Sequence, residues 1–338
     1  MDQTRVEEEE AEMISIISCT FNRVRMLEET VRSFLECTSD GIDYELLLVD
    51  NNSTDKTREF VEQLATRFPR IRYLREPLQG LSIARNSGIH SSKGEIIAFV
   101  DDDVYFSPDW LTALACCFER HPDVACIGGK VVPQFEANRP PWLDDDLLWI
   151  YGVTRYGDQE REIRPPEIPI GCNMAFRRMV FEKIGGFHTS LGRYGKSLLS
   201  GEENLFFHYA ANAGLKTLYS PDVQVSHRVP PARLTRDWVL SRFYWAGVSE
   251  VAMKQLGDDP LSRGTLTKKA IRMLLRLLRQ WREAIGLLRA KNDRNGDVPI
   301  IMQADVCHKL GTLRQMISEA AAVPTGNALG SARPANEK

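Results

Sequence analysis

Three consecutive carboxylates, Asp101-Asp102-Asp103, stand at the end of the apolar run Glu95 to Val100. A run of this length, bounded by Lys93-Gly94, predicts a strand buried on both faces. Open α/β sheets bind their ligands at such strand ends. Adjacent anions repel one another, so they imply either a solvated acidic turn or a hard cation. Oxygen ligands of this kind favour Mg²⁺ or Mn²⁺, normally shared with a substrate phosphate. Asp50, in Val49-Asp50-Asn51-Asn52-Ser53-Thr54-Asp55, closes a second apolar run. Two further acids, Glu202 and Glu203, follow Gly201, and His227 lies 24 residues beyond Glu203. An acid pair at a helix start is what the helix dipole alone would favour. It is also where a raised carboxyl pKa, driven by like-charge repulsion, would suit proton abstraction. A lone His reads either as a core or capping residue or as a metal ligand.

Strands and helices alternate around these residues. Met13–Cys19, Tyr44–Val49, Ile71–Leu74 and Glu95–Val100 read as strands; the segments between them, from Leu27 to Cys37, up to Phe68, and from Gly80, read as helices. Ser53 or Thr54 is positioned to cap the second helix. This βα alternation predicts right-handed crossovers and an α/β fold with a mostly parallel sheet. Asp50 and Asp101 to Asp103 then fall on the same sheet edge. The first strand is followed by no Gly-x-Gly-x-x-Gly turn, and no Walker-type loop occurs, which counts against a dinucleotide-dependent dehydrogenase and a phosphate-loop nucleotidase. Further on, Trp110, Leu111 and Leu114 fit a packed helix. Pro140-Pro141-Trp142-Leu143-Asp144-Asp145-Asp146 reads as a loop entering a helix N-terminus rather than a second metal cluster. The stretch 187–200, with Gly192, Arg193, Tyr194, Gly195 and Lys196, is either a lid or a plain surface loop.

Four pieces occur in an order that resembles glycosyltransferase family 2. They are Ser18-Cys19-Thr20-Phe21-Asn22-Arg23, Val49 to Asp55, Gly80-Leu81-Ser82-Ile83-Ala84-Arg85-Asn86-Ser87-Gly88, and Phe99-Val100-Asp101-Asp102-Asp103. The resemblance covers about residues 13–250. It implies the Rossmann-like fold of nucleotide-diphospho-sugar transferases, followed by a C-terminal helical extension over 251–322. It also implies that Thr20, Asn22, Arg23, Asp50, Asn52, Arg85, Asp101, Asp102 and Asn173 bind the nucleotide sugar. Among these, Asp50 would take the uracil or ribose and Arg85 would face the diphosphate. Asp101, Asp103 and His227 would hold Mn²⁺ or Mg²⁺. Glu203, beside Glu202, would be the general base of an inverting transfer; the family usually carries Asp there, one methylene shorter. The expected donor is a UDP-sugar, and the expected acceptor a hydroxyl of a glycan or lipid-linked sugar in polysaccharide or cell-envelope synthesis. Carboxylates and metal alone would also suit a nucleotidyltransferase, and a non-catalytic membrane-surface scaffold is the other alternative.

Composition sets the remaining bounds. The chain has 338 residues and a formal net charge of -3, which counts against nucleic acid as a general partner. Seven cysteines without a Cys-x-x-Cys pair suggest reduced thiols and a cytoplasmic setting. No run of 18 apolar residues occurs, so no spanning helix is expected; the expected location is the cytoplasm, either free or at the inner face of the membrane. Residues 1–12 are acidic and 323–338 rich in Gly, Pro and Ala; both read as disordered. From Arg263 to Lys291 nine basic residues face one acid, while Ile271, Leu274, Leu275, Leu278, Trp281, Ile285 and Leu288 recur at helical spacing opposite Lys269, Arg272, Arg276 and Arg279. Such a helix either lies on an anionic membrane or packs on protein.

Overall fold

A computed structural model describes residues 12–195, 197–279 and 299–322. The readings made for residues 1–11, Lys196, 280–291 and 323–338 lie outside these described residues.

Strands β1 (Ile14–Thr20), β2 (Tyr44–Asp50), β3 (Ile71–Arg75) and β4 (Ile96–Asp101) alternate with helices α1 (Val24–Leu35), α2 (Thr57–Arg67) and α3 (Leu81–Ser91). They pair in parallel in the order β3-β2-β1-β4. The strand sequences explain why both faces are covered. Ile14, Ile16, Leu46, Leu48, Ile96 and Ala98 point to one side, where Leu27, Val31 and Phe34 of α1 meet them. Ile17, Leu47, Val49, Ile97 and Phe99 point to the other, against Ala84 of α3. This period of two, apolar at both phases, is the signature of a sheet sandwiched between helix layers.

Beyond β4 the sheet becomes mixed. β5 (Val104–Phe106), α4 (Trp110–Arg120), β6 (Cys126–Phe135), β7 (Arg161–Ile163), β8 (Asn173–Arg177), α5 (Met179–Ile184), α6 (Glu202–Asn212) and β9 (Thr217–Val229) complete it. The order continues β4-β8-β6-β9-β5, with β7 on β9. β8 runs antiparallel to both β4 and β6. Trp110, Leu111 and Leu114 of α4 are buried, and Asp145–Tyr151 form a 3₁₀ turn after Pro140-Pro141.

The C-terminal helices are α7 (Arg236–Leu256), α8 (Arg263–Arg279) and α9 (Ile300–Ala321). The break expected between 250 and 251 falls inside α7, so the helical extension is continuous with the sheet-bearing part. α7 and α9 cross closely at two glycines. A Cβ on Gly247 would fall 2.1 Å from the His308 carbonyl, and one on Gly311 1.9 Å from that of Tyr244. Only glycine allows backbones so near each other.

Candidate active site

The ends of β1 and β4, the start of α3, the start of α6 and the helix α7 enclose one cleft of about 920 Å³. Register explains how the acids come together: Cys19 pairs with Asp101 and Thr20 with Asp50 across parallel strands, so every chain emerges at one edge. The cleft is lined by Thr20, Arg23, Arg85, Asp101, Asp102, Asp103, Glu202, Glu203 and His227. Nine expected site residues, drawn from five separate parts of the sequence, are therefore gathered in one place.

The three aspartates do different things. Asp102 points inward, accepting from Thr20 Oγ1 at 2.6 Å and from Arg23 at 3.0 Å. Burial pushes its carboxyl up to about 6, against the pull of Arg23. Asp103 is buried beside Arg23 at 3.3 Å, Arg233 at 3.1 Å and His227 Nε2 at 3.2 Å. Burial opposes its ionisation, yet His227 and the two arginines hold it well below the ordinary carboxylate range. Asp101 is the accessible one, its side chain 37% exposed; desolvation raises it, against Arg85. One ligand atom each from Asp101, Asp103 and His227 lie within 4.8 Å of one another.

The imidazole shows how well this trio suits a cation. His227 Nδ1 sits 2.6 Å from the Tyr151 carbonyl, which can only accept, so Nδ1 carries the proton. Against the burial that opposes it, Asp103 raises the imidazole pKa, and the protonated ring turns Nε2–H toward Asp103 Oδ1; in the neutral ring Nε2 is a lone pair facing that oxygen, which lacks any well-aligned donor. Two lone pairs 3.2 Å apart call for a proton or a metal between them. Orientation of a ligating histidine through its other nitrogen is the usual outer-shell arrangement at metal sites.

Arg85 ties this side of the cleft to the other. It is 2% exposed, and its guanidinium reaches Glu203 Oε1 at 3.1 Å, Glu202 Oε1 at 3.2 Å and Asp101 Oδ1 at 3.7 Å. Phe187 stacks against it, with Arg85 Cζ 5.4 Å from the ring centroid. A buried cation among three acids is stabilised only because each acid is close and bonded. The acid pair divides its labour in a way that composition alone does not reveal. Burial and the charge of Glu203 raise Glu202, whose Oε2 is buried without a partner. Burial also acts on Glu203, but Arg85 and the backbone outweigh it and lower its pKa. Repulsion was expected to raise Glu203; it raises Glu202 instead, because the α6 terminus leaves Glu203 the better bonded of the two. Glu203 is also the more accessible, its side chain 17% exposed against 3%.

Four expected residues do not line the cleft. Asn173 is 1% exposed; it accepts from Trp110 Nε1 at 3.0 Å and donates to the Val223 and Lys130 carbonyls. Its amide is used up joining β8 to β6, β9 and α4. Asn22, at φ 53, accepts from the Thr54 and Asp55 amides and pins one loop to another. Asn52, at φ 67, accepts from Arg75. Asp50 is 3% exposed, bonded to the Ser53 amide and the Tyr73 hydroxyl. Asp55 rather than Ser53 or Thr54 serves the start of α2, accepting from the Thr57 amide.

Arg233, Arg242, Tyr151 and Asn51 line the cleft without having been expected there. Asn51 accepts from the Gly80 amide and so fixes the turn before α3. Arg233 follows His227 by six residues beyond Pro230-Pro231, a spacing that carries no motif. The Arg193 carbonyl accepts from the Leu81 amide, and Ser82 Oγ donates to the Leu191 carbonyl. The loop expected as a lid or surface turn is thus docked on α3, with Gly192 at φ +99 where a Cβ would meet Ser82.

The sequence profile of Glycosyl transferase family 2 matches residues 15–185. This chain is a family 2 glycosyltransferase. It is 28% identical over 255 residues to the glucosyl-dolichyl phosphate glucuronosyltransferase of Haloferax volcanii, covering 73% of this chain and 80% of that one. It is 30% identical over 243 residues to the succinoglycan biosynthesis protein ExoM of Rhizobium meliloti, covering 69% and 72%. Among solved structures it resembles a mannosyltransferase from Pyrobaculum calidifontis in complex with GDP-mannose and Mn²⁺. The TM-score is 0.55 at 20% identity, over 91% of this chain and 86% of that one. That likeness bears on the fold. Family membership makes the chain a glycosyltransferase enzyme rather than the nucleotidyltransferase or scaffold that carboxylates alone left open.

Proposed function

We propose that this glycosyltransferase moves a sugar, with inversion, from a nucleotide-diphosphate donor, UDP-linked by the resemblance of its motifs, to a hydroxyl of a lipid-phosphate-linked glycan. The observation that carries this reading is the single guanidinium of Arg85, which joins Asp101 of the cation trio to Glu203. Asp101, Asp103 and His227 would hold Mn²⁺ or Mg²⁺, which when bound offsets the charge developing on the departing diphosphate. Glu203, kept ionised by Arg85, takes the proton of the acceptor hydroxyl as its oxygen bonds to the anomeric carbon. The bond from that carbon to the diphosphate oxygen breaks, and its electrons leave with the nucleoside diphosphate. Glu202, held neutral, keeps a second negative charge away from the base. Arg23 and Arg233, both seated on Asp103, would offer their remaining donors to the diphosphate. The lipid-phosphate acceptor draws support from the relative that acts on glucosyl-dolichyl phosphate.

The helix α8 favours a membrane-surface location. Leu266 and Ala270 are buried toward α9, but Ile271, Leu274, Leu275 and Leu278 are exposed at 52%, 43%, 51% and 54%. Lys268, Lys269, Arg272 and Arg276 are exposed as well. Apolar and basic faces side by side suit an anionic bilayer surface. Among the described residues no helix is long and apolar enough to cross a membrane.

The deciding experiment is thermal unfolding with UDP, GDP, dTDP and ADP, each with and without Mn²⁺. A ligand at a hundred times its Kd adds about 2.7 kcal/mol. A metal-dependent shift for one diphosphate, lost in Asp103→Ala, supports the donor site; a flat response to all four overturns it. For α8, co-sedimentation with anionic vesicles should exceed that with neutral ones and fall in Leu274→Glu/Leu278→Glu. Equal binding to both vesicle types would overturn the membrane assignment.

A further inference from the structure

Six arginines line the cleft, and four of them have carboxylate partners. Arg23 lies on Asp102 and Asp103, Arg85 on Asp101, Glu202 and Glu203, Arg155 on Asp146, and Arg233 on Asp103. Arg193 and Arg242 have no carboxylate within 4.0 Å among the described residues. Arg193 lies close enough to take part of the basicity of Arg242: burial and then the charge of Arg193 lower Arg242 to about 10. Arg193 itself, an exposed residue at the cleft, is lowered by desolvation and by Arg233.

The bonding of Arg242 is equally incomplete. Its Nη atoms donate only to the neutral Leu198 carbonyl and Ser200 Oγ, all at 3.3 Å, the long end of the range. Its Nε is buried with no partner. A half-buried guanidinium with a buried donor unused, beside a second cation, is costly unless an anion completes it. The hydroxyls of Ser200 and Ser249, 3.4 Å apart, lie at the same place and add neutral hydrogen-bonding capacity.

Position tells which anion. Arg242 donates to the Leu198 carbonyl and Ser200 Oγ, in the segment that runs directly into Gly201-Glu202-Glu203. Its site is therefore beside the base, where the acceptor hydroxyl must arrive. The same cleft carries an apolar rim: Trp149, 43% exposed and edge-on to Phe243 at 5.3 Å, lines it with Trp238 and Met253.

We propose that Arg242, with Arg193 and the Ser200 hydroxyl, binds a phosphoryl group carried by the acceptor, whose lipid chain leaves across the tryptophan-lined rim. Two guanidinia suit the several charged oxygens of a phosphate ester, and arginine is the residue best shaped to bind them. The assignment rests on the glycosyltransfer reading above and deepens its acceptor side.

The test uses the whole protein with its donor site filled by saturating UDP and Mn²⁺, titrated calorimetrically with farnesyl phosphate, with farnesol, and with inorganic phosphate as competitor. Farnesyl phosphate should bind at least tenfold more tightly than farnesol, and inorganic phosphate should compete with it. Arg242→Gln should lose tenfold or more in farnesyl phosphate affinity while keeping its melting temperature and its UDP–Mn²⁺ affinity; Arg242→Lys should fall between. Equal binding of farnesol and farnesyl phosphate, or an Arg242→Gln protein that binds farnesyl phosphate as the wild type does, overturns the proposal. If UDP–Mn²⁺ fails to bind, the donor reading fails by itself, and titration without nucleotide still decides the phosphoryl site.

Discussion

Gly171 is the position where one methyl group should disable the base, by pressing on Glu203 and on the Arg85 guanidinium that holds it. A Cβ built there would lie 2.0 Å from Glu203 Oε1, 2.9 Å from its carboxyl carbon and 2.8 Å from Arg85 Nη2. Carbon and oxygen approach no nearer than about 3.3 Å, so the carboxylate must recede by roughly 1.3 Å. Gly171 lies outside the positive-φ region, so Gly171→Ala brings no backbone strain of its own. The movement breaks the 3.1 Å contact that keeps Glu203 ionised and aimed. Misplacing a reacting group by about 1 Å costs on the order of 10²-fold, or about 2.7 kcal/mol of barrier. The assay is release of nucleoside diphosphate at saturating donor and acceptor, beside direct measurement of UDP–Mn²⁺ affinity. The turnover number should fall by about that factor with the affinity unchanged. Combining Gly171→Ala with Glu203→Gln should be no worse than Glu203→Gln alone, because both act on one carboxylate. Wild-type turnover in Gly171→Ala would refute the placement of the base.

Other perturbations separate structural from chemical roles. Asn173→Ala should destabilise the protein by about 1–3 kcal/mol, since Trp110 Nε1 and two buried carbonyls lose their partner, and yet leave UDP–Mn²⁺ affinity intact; a loss of affinity without loss of stability would return Asn173 to the donor site. Gly311→Ala should cost about 1–3 kcal/mol in denaturant unfolding, because its methyl meets the Tyr244 carbonyl and forces α7 from α9, whereas unchanged stability would show that this crossing can relax. The pH dependence of Glu202 has a defined sign. Its proton is held more tightly folded than unfolded, so its contribution to stability is complete below the ordinary carboxylate pKa. That contribution declines as pH rises and is gone above about 8. Glu202→Gln should lack this slope, so the melting temperature of the variant should gain on the wild type between pH 5 and 8; parallel curves over that range would sink the assignment. Glu203, with its pKa lowered, acts in the opposite sense and only at acid pH.

Much of the sheet edge beside the cleft was legible because it depends on local pattern. Strands apolar at both phases, β1, β2 and β4, can be read as buried parallel strands from composition alone. Parallel register then carries Thr20, Asp50 and Asp101 to one edge whatever the details of packing. The spacing of apolar residues on α8 likewise identified Ile271, Leu274, Leu275 and Leu278 as one face, and they are exposed together. Motif order sufficed to name the family, since each βα unit is placed by its own sequence.

What only the tertiary structure decided concerns partners that are distant in the chain. Whether an asparagine faces ligand or core depends on its neighbours, and Asn173 is claimed by Trp110, 63 positions away. Which of two adjacent glutamates keeps its charge depends on Arg85, 117 and 118 positions from them. Arg193 and Arg242 carry no motif. They become conspicuous only once every carboxylate in the cleft is seen to belong to another cation. Periodicity reports which face of an element is apolar; it cannot report which charge finds a counter-charge, because that balance is settled where separate segments meet.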